Sequence, residues 1–224
     1  DLTSENELEV VTSRPWRYRR NARIAVSTSL EHGLKLGFRE RGSRTVVHCL
    51  KCDVLDPSLS DLLPHLTDLI QGLDFKNCIS EVELLSTGDN VTVTLFIEPK
   101  FGASDRIKLS DFSNSHKVSV YRKSGKTIES LGILNTEHGY YINNLYFEVS
   151  PGSFLQTNHE INSAIVVYVL EVLRPSKKEI IADLFCGMGN FSLPLAQLAG
   201  SVLGVESDRE LLIQARANAA LNAI

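Results

Sequence analysis

The chain has 224 residues, 43% hydrophobic and 22% charged, an ordinary globular composition that excludes disordered and collagen-like chains and suffices for one large domain or two small ones. No apolar run approaches the ~20 residues a membrane-spanning helix needs, and Asp1-Leu2-Thr3-Ser4-Glu5 lacks the pattern of a signal peptide. Cys49, Cys52, Cys78 and Cys186 are too irregularly spaced for a disulfide framework, so the expectation is a soluble cytoplasmic protein with no membrane partner. The net charge of -4 hides an asymmetry: residues 14–51 carry +8 and the remainder -12, which points to a polyanion-binding face on an otherwise acidic protein.

In chain order, residues 23–49 alternate as strands do, through Arg23-Ile24-Ala25-Val26-Ser27, a Glu31-His32-Gly33 turn, Leu34 to Phe38 and Thr45 to His48. This predicts an antiparallel meander with its arginines on one side. Asp56-Pro57-Ser58 opens a helix with Leu59, Leu62, Leu63, Leu66, Leu69 and Ile70 on one stripe, kinked at Pro64. A hairpin is expected over Glu81 to Ile97, turning at Gly88-Asp89-Asn90, followed by a short helix and strands near Val118 to Tyr121 and Tyr140 to Ile142.

The pattern changes at Ser150. A helix from Glu160 to Leu173 presents Ile161, Ala164, Ile165, Tyr168, Val169 and Leu173 on its apolar side. Then come a buried strand Ile180 to Phe185, the turn Cys186-Gly187-Met188-Gly189-Asn190, a helix, and a second buried strand Val202 to Glu206. Ser207 and Glu210 form a capping box for a last helix, Asp208 to Ala223. Strand, glycine turn, helix, strand and helix is the opening of a doubly wound sheet, so the fold expected is an α+β domain over 1–150 followed by the start of an α/β Rossmann-like domain over 151–224.

A glycine turn between strand and helix places a helix N-terminus at the strand's carboxyl end, where a nucleoside ligand fits, and Glu206 ends the next strand, where an acid can accept ribose hydroxyls. Ser192 stands where a dinucleotide site wants a third glycine, and Asp183 would repel pyrophosphate while attracting the ammonium group of S-adenosylmethionine. These features favour S-adenosylmethionine over a dinucleotide or a purely structural turn.

Asp183 to Phe191 with Pro194-Leu195-Ala196 and Gly204-Val205-Glu206, preceded by Phe154-Leu155-Gln156-Thr157-Asn158, resembles the RNA 5-methyluridine methyltransferases, in particular the 23S ribosomal RNA branch. Trp16 to Arg23, Gly37-Phe38-Arg39 and Lys51 to Leu55 extend the resemblance over nearly the whole chain. It implies methylation of uridine C5 in 23S ribosomal RNA, with tRNA uridine or a non-catalytic RNA-binding role as alternatives. Matched cofactor positions are Gln156, Phe185, Asn190 and Glu206, joined to Asp183, Gly187 and Gly189 from the turn. In that family a cysteine thiolate in Ser-Cys-Asn-Pro adds to C6 and an enolate attacks the methyl sulfonium; neither that motif nor the Asp-Pro-Pro-Arg-like segment before it occurs here. The chain, which begins without Met, thus reads as part of a longer enzyme, with no catalytic residue of its own and no methyl transfer expected by itself. Cys186 is read as packing rather than nucleophile.

The resemblance also matches Cys52 to one ligand of a [4Fe-4S] cluster whose other three cysteines are absent from this sequence, so no cluster is expected in this chain alone. Arg17, Arg19, Arg20, Arg23 and Arg39, interleaved with Trp16 and Tyr18, are the candidate RNA contacts, phosphates on guanidinium groups and unpaired bases on the rings.

Overall fold

A computed structural model describes residues 10–29, 33–97, 102–132 and 138–224. The Glu31-His32 part of the predicted turn lies outside them. Strands β1 (Asn21–Ser29), β2 (Gly33–Arg39), β3 (Val46–His48), β4 (Glu81–Ser86), β5 (Val91–Phe96), β6 (Ser119–Ser124) and β7 (Thr127–Gly132) form one sheet in the order β3-β2-β1-β4-β5-β6-β7. The meander and the second hairpin stand where the alternation put them. Every pairing is antiparallel except β5 with β6, whose crossover is helix α3 (Ala103–His116).

The stripe predicted from Asp56 is present but broken. Helix α1 (Pro57–Ser60) stops, and α2 (Leu63–Gly72) starts afresh with Pro64 in its first turn, so the proline begins a helix instead of kinking one. Both helices lay Leu59, Leu63, Leu66 and Ile70, each fully buried, against Ile24, Leu36, Val82 and Leu84 of the sheet. At about 1.5–3 kcal/mol per buried side chain, this layer is the main stabilising core of the first part of the chain.

A second core forms around a hairpin, β8 (Gly139–Ile142) and β9 (Leu145–Glu148). Tyr140, Ile142, Leu145 and Phe147 pack with Leu155, Val166, Met188 and Leu193, so the hairpin shares its interior with residues beyond 150. The outer edge of β9 is closed by a helix. Gln214, Asn218 and Asn222 recur every four residues on α6 (Arg209–Leu221) and at its C-cap, a spacing of about 6 Å on a helix that nearly matches two residues of strand. Asn222 Oδ1 accepts from Tyr146 N at 2.8 Å and its Nδ2 donates to Tyr146 O at 2.7 Å. Asn218 Oδ1 accepts from Glu148 N at 2.9 Å, and Gln214 Nε2 donates to Glu148 O at 3.0 Å.

Strands β10 (Ile180–Leu184) and β11 (Ser201–Val205) pair in parallel, with α5 (Ser192–Leu198) between them. Three expectations need correction here. The strands are not buried on both faces: Ile180, Leu184, Leu203 and Val205 are exposed, because α5 and α6 cover one face and no described element covers the other. Helix α4 (His159–Leu173) buries Asn162 and Val166 while Ile165, Tyr168 and Leu173 are exposed, so its inward face is rotated from the predicted stripe. The cap of α6 is Asp208, whose carboxylate accepts from Glu210 N and Leu211 N; Ser207 turns back to donate to Glu206. Among the described residues no helix is long and apolar enough to cross a membrane.

Candidate cofactor site and basic face

The turn after β10 is tightly wound. Phe185, Gly187 and Gly189 all have positive φ (66°, 56° and 97°), and a Cβ on Gly189 would lie 2.2 Å from Leu193 Cδ1, so the second glycine is required on both conformational and steric grounds. Phe185 N and Cys186 N both donate to Val205 O, which ties the turn to the end of β11. Glu206 then reaches back: its Oε2 accepts from Gly187 N at 3.1 Å, and its Oε1 accepts from Asp208 N at 2.9 Å and from Ser207 Oγ at 3.2 Å. The Asp208 N–H foremost, then Gly187 and Ser207, holds the Glu206 carboxyl below the ordinary carboxylate range. A carboxylate has about four lone-pair positions, so Oε2 keeps acceptor capacity for a further hydroxyl.

Beside this turn lies a cavity of about 220 Å³ whose lining includes Gln156, Phe185, Gly187, Asn190 and Glu206. The structure thus brings five of the seven sequence-derived cofactor positions to one cavity. Asp183 and Gly189 do not line it. Asp183 Oδ2 accepts from Ser192 Oγ at 2.5 Å, at the start of α5, and Gly189 lies under Leu193. Both shape the turn from behind. Residues not singled out from sequence also line the cavity: Tyr140, Phe154, Met188, Phe191 and Leu211. Phe154, 69% exposed, had a local signal as a bare aromatic beside Gln156; Tyr140 had none, since it arrives from a hairpin distant in sequence. Asn162 was missed too. It is buried and exchanges two hydrogen bonds with Asn190, at 2.8 and 3.1 Å, which fixes the orientation of that amide. A polar residue four positions after the Asn158 cap, on a helix of apolar neighbours, was its visible sign.

Cys186 also lines the cavity but is buried, and burial first, then the Asp183 and Glu206 carboxylates, pushes its thiol up. It is protonated near neutrality, consistent with a packing role.

The segment carrying Gln156 is strapped to the end of the basic stretch. Arg20 N donates to Thr157 O at 3.0 Å, Asn21 Nδ2 to Leu155 O at 3.0 Å, and Arg20 Nε to Gln156 O at 3.2 Å. Arg20, one of the candidate RNA contacts, is consequently buried: its guanidinium lies 4.0 Å from the centre of the Tyr140 ring. The remaining candidates do not form one uniform face either. Arg17 is exposed and Arg19 half-buried with Nε on Asn21 O. Arg23 and Arg39, two residues beyond the paired Ala25 and Gly37, meet Glu83 at 3.3 Å and Glu81 at 2.7 Å. The part-exposed Arg39–Glu81 pair is worth about 0–1 kcal/mol, little enough for a phosphate to replace the carboxylate, whereas Glu83 is 8% exposed and would be left buried without Arg23.

Cys52 is half-buried with its backbone N–H on Ser60 Oγ, and the neighbouring Cys49 thiol is pushed up by burial and by Cys52. Among the described residues no three His, Cys, Asp or Glu side chains converge as a metal site, so these residues do not by themselves fit an iron-sulfur cluster.

A parallel strand pair of Rossmann-like form with a glycine turn and a placed acid, preceded by a mixed seven-stranded sheet, defines the class, and comparison with known proteins agrees. The crystal structure of Pyrococcus abyssi tRNA (uracil-54, C5)-methyltransferase in complex with S-adenosyl-L-homocysteine superposes with a TM-score of 0.71 at 20% identity, over 94% of this chain and 54% of that one, so the two share a fold. The model of the tRNA (uracil-5-)-methyltransferase family matches residues 2–224, and the chain belongs to that family. It is 39% identical over 218 residues to the Cronobacter sakazakii 23S rRNA (uracil(1939)-C(5))-methyltransferase RlmD, covering 96% of this chain and 50% of that protein. It is 35% identical to the Shewanella amazonensis protein of the same name, over 100% of this chain and 53% of the relative. The chain spans about half the length of the curated relatives it matches.

Proposed function

We propose that this chain carries the RNA-binding part and the cofactor-binding part of a cytoplasmic enzyme that transfers a methyl group from S-adenosylmethionine to C5 of a uridine in 23S ribosomal RNA. The relatives at 35–39% identity support the ribosomal substrate over tRNA. The β8–β9 hairpin shares its core with α4, α5 and the glycine turn, which supports a division between the parts ahead of Gly139 in preference to 150.

The observation that carries the reading is the convergence of Gln156, Phe185, Gly187, Asn190 and Glu206 on one cavity. S-adenosylmethionine supplies an electrophilic methyl group on sulfur. The residues that would hold it are those five, with Glu206 Oε2 accepting from ribose hydroxyls, the Asn162-held Asn190 amide offering both a donor and an acceptor, and Asp183 and Gly189 keeping the turn in shape. The thiolate that uracil C6 requires is not supplied by Cys186, and no Ser-Cys-Asn-Pro motif occurs in these 224 residues. The chain alone is therefore expected to bind the cofactor without turnover. For Cys52 the cluster-ligand role applies only to a form of the protein that brings three further thiolates to it.

Calorimetric titration tests this. S-adenosylhomocysteine is expected to saturate the chain and NAD to leave it unoccupied, with a 23S ribosomal transcript bound in preference to a tRNA transcript. Equal binding of NAD overturns the cofactor assignment, and preference for the tRNA transcript overturns the substrate assignment.

A further inference from the structure

A second and larger cleft, of about 500 Å³, adjoins the cofactor cavity, and Tyr140 lines both. Its walls come from the basic stretch, the β4–β5 turn, the β8–β9 hairpin and the start of α4. Four tyrosines, Tyr18, Tyr140, Tyr141 and Tyr146, line it together with Arg20 and His159. Tyr141 is 65% exposed, and its ring centre is 5.1 Å from that of Tyr146. Tyr146 lies across Gly139, where any Cβ would come within 2.3 Å of the phenol ring. The two rings are tilted by 55°, so the hairpin offers the exposed Tyr141 ring with Tyr146 braced behind it.

The cation in this cleft is incompletely satisfied. Arg20 is 6% exposed; its Nε is on Gln156 O and its Nη1 is 3.1 Å from His159 Nδ1, but its buried Nη2 has no hydrogen-bond partner among the described residues. A buried donor without an acceptor costs about 1–3 kcal/mol, and the guanidinium has no carboxylate partner among the described residues, so its charge is left to attract an anionic group in the cleft. Arg14, engaged with Glu160 at 3.1 Å and about half-exposed, adds a second cation at the wall. Asp56 and Asp89 line the cleft as well, which disfavours a run of phosphates and offers acceptors to base amino groups.

We infer that this cleft holds an unpaired nucleotide of the RNA substrate other than the methylated one, its phosphate drawn by the Arg14 and Arg20 cations and its base stacked on the exposed Tyr141 ring. The inference rests on the proposed RNA substrate. A uridine whose C5 is to be methylated must leave its stack, and its neighbours are then unstacked and free to lie on aromatic side chains. Arg20 also gives such binding a route to the cofactor, since the guanidinium behind the phosphate grips the main chain of Gln156.

The test is a fluorescence titration of the chain with a short labelled single-stranded oligoribonucleotide, with S-adenosylhomocysteine affinity measured in parallel. Tyr141→Ala, at an exposed position outside the cofactor cavity, is expected to weaken RNA about tenfold and leave S-adenosylhomocysteine unchanged; Ile107→Ala on α3 is expected to change neither. Arg20→Met, which keeps the stem packed on Tyr140, is expected to lower the slope of log affinity against log salt by about one. RNA binding unaltered by Tyr141→Ala, or absent in the unmodified chain, overturns the inference, as does binding of uridine monophosphate as tight as that of the oligonucleotide. If Tyr141-dependent RNA binding is found but S-adenosylhomocysteine is not held, the cleft stands and the methyl-transfer reading falls.

Discussion

Replacing Asn218 by Ala probes the joint on which the second half of the molecule turns. Asn218 is fully buried; its Oδ1 accepts from Glu148 N and its Nδ2 donates to Met188 O at 3.3 Å. One side chain thus ties the free edge of β9 to the cofactor turn. Alanine leaves a buried N–H and a buried carbonyl without this partner, each worth about 1–3 kcal/mol, and opens a small cavity. The longer Met188–Asn218 bond belongs at the low end of that range, so a total of about 3 kcal/mol is expected. For a chain of this size 1 kcal/mol moves the melting temperature by about 2–4 °C, which gives a fall of about 6–12 °C. Differential scanning calorimetry with urea titration measures it, and S-adenosylhomocysteine affinity should drop in the same variant because Met188 loosens. A loss below about 0.5 kcal/mol, the size of an ordinary surface substitution, would refute the claim that the amide ladder closes the strand edge.

Four further substitutions read out the site and its surroundings. Gly189→Ala is expected to cost about 2 kcal/mol or more from its φ of 97° and the approach to Leu193, against about 1 kcal/mol at Gly187, whose φ of 56° lies in the left-handed region and whose Cβ would meet open space; equal losses in thermal melts would count against this ordering. Glu206→Gln puts an amide N–H2 where an oxygen now accepts from Gly187 N or from Asp208 N, so S-adenosylhomocysteine should bind about tenfold more weakly, and unchanged calorimetric affinity would remove Glu206 from the site. Glu83 is buried beneath Arg23, and burial raises its carboxyl above the ordinary value despite Arg23, Lys123 and the Gly152 backbone. An acid raised in the folded state disfavours folding once ionised, and that penalty vanishes as the pH falls below the unfolded carboxylate value near 4.5. Glu83→Gln should therefore be more stable than the unaltered chain at pH 7 and gain nothing at pH 4; a variant destabilised at pH 7 would show that the Arg23 pair outweighs the burial.

What the sequence discloses depends on how far each interaction reaches along the chain. The meander, the β4–β5 hairpin and the glycine turn rest on period-two alternation and on residues within a few positions of one another, and each stands where the pattern put it. Pro64 reads from the sequence as a kink in one helix, whereas the chain forms two helices that lay Leu59 and Leu63 on the sheet, with Pro64 in the first turn of the second. The apolar residues of β10 and β11 have the composition of a doubly covered parallel strand, yet composition cannot say which elements are present to cover them.

The basic stretch shows the same limit from the other side. Arg17, Arg19, Arg20, Arg23 and Arg39 are alike in sequence and differ entirely in place. Register opposes Arg23 to Glu83, and Arg39 reaches Glu81 on the same strand; Arg17 stays in solvent; Arg20 is drawn inward by carbonyls 136 residues away. Net charge along a segment reports how many cations a face could have, whereas the partners that neutralise or redirect each one come from strands and loops that only the fold assembles. The arginine least visible to a passing phosphate is therefore the one with an unmet donor and a hydrogen bond to the cofactor segment, a placement that its position in the basic stretch does not disclose.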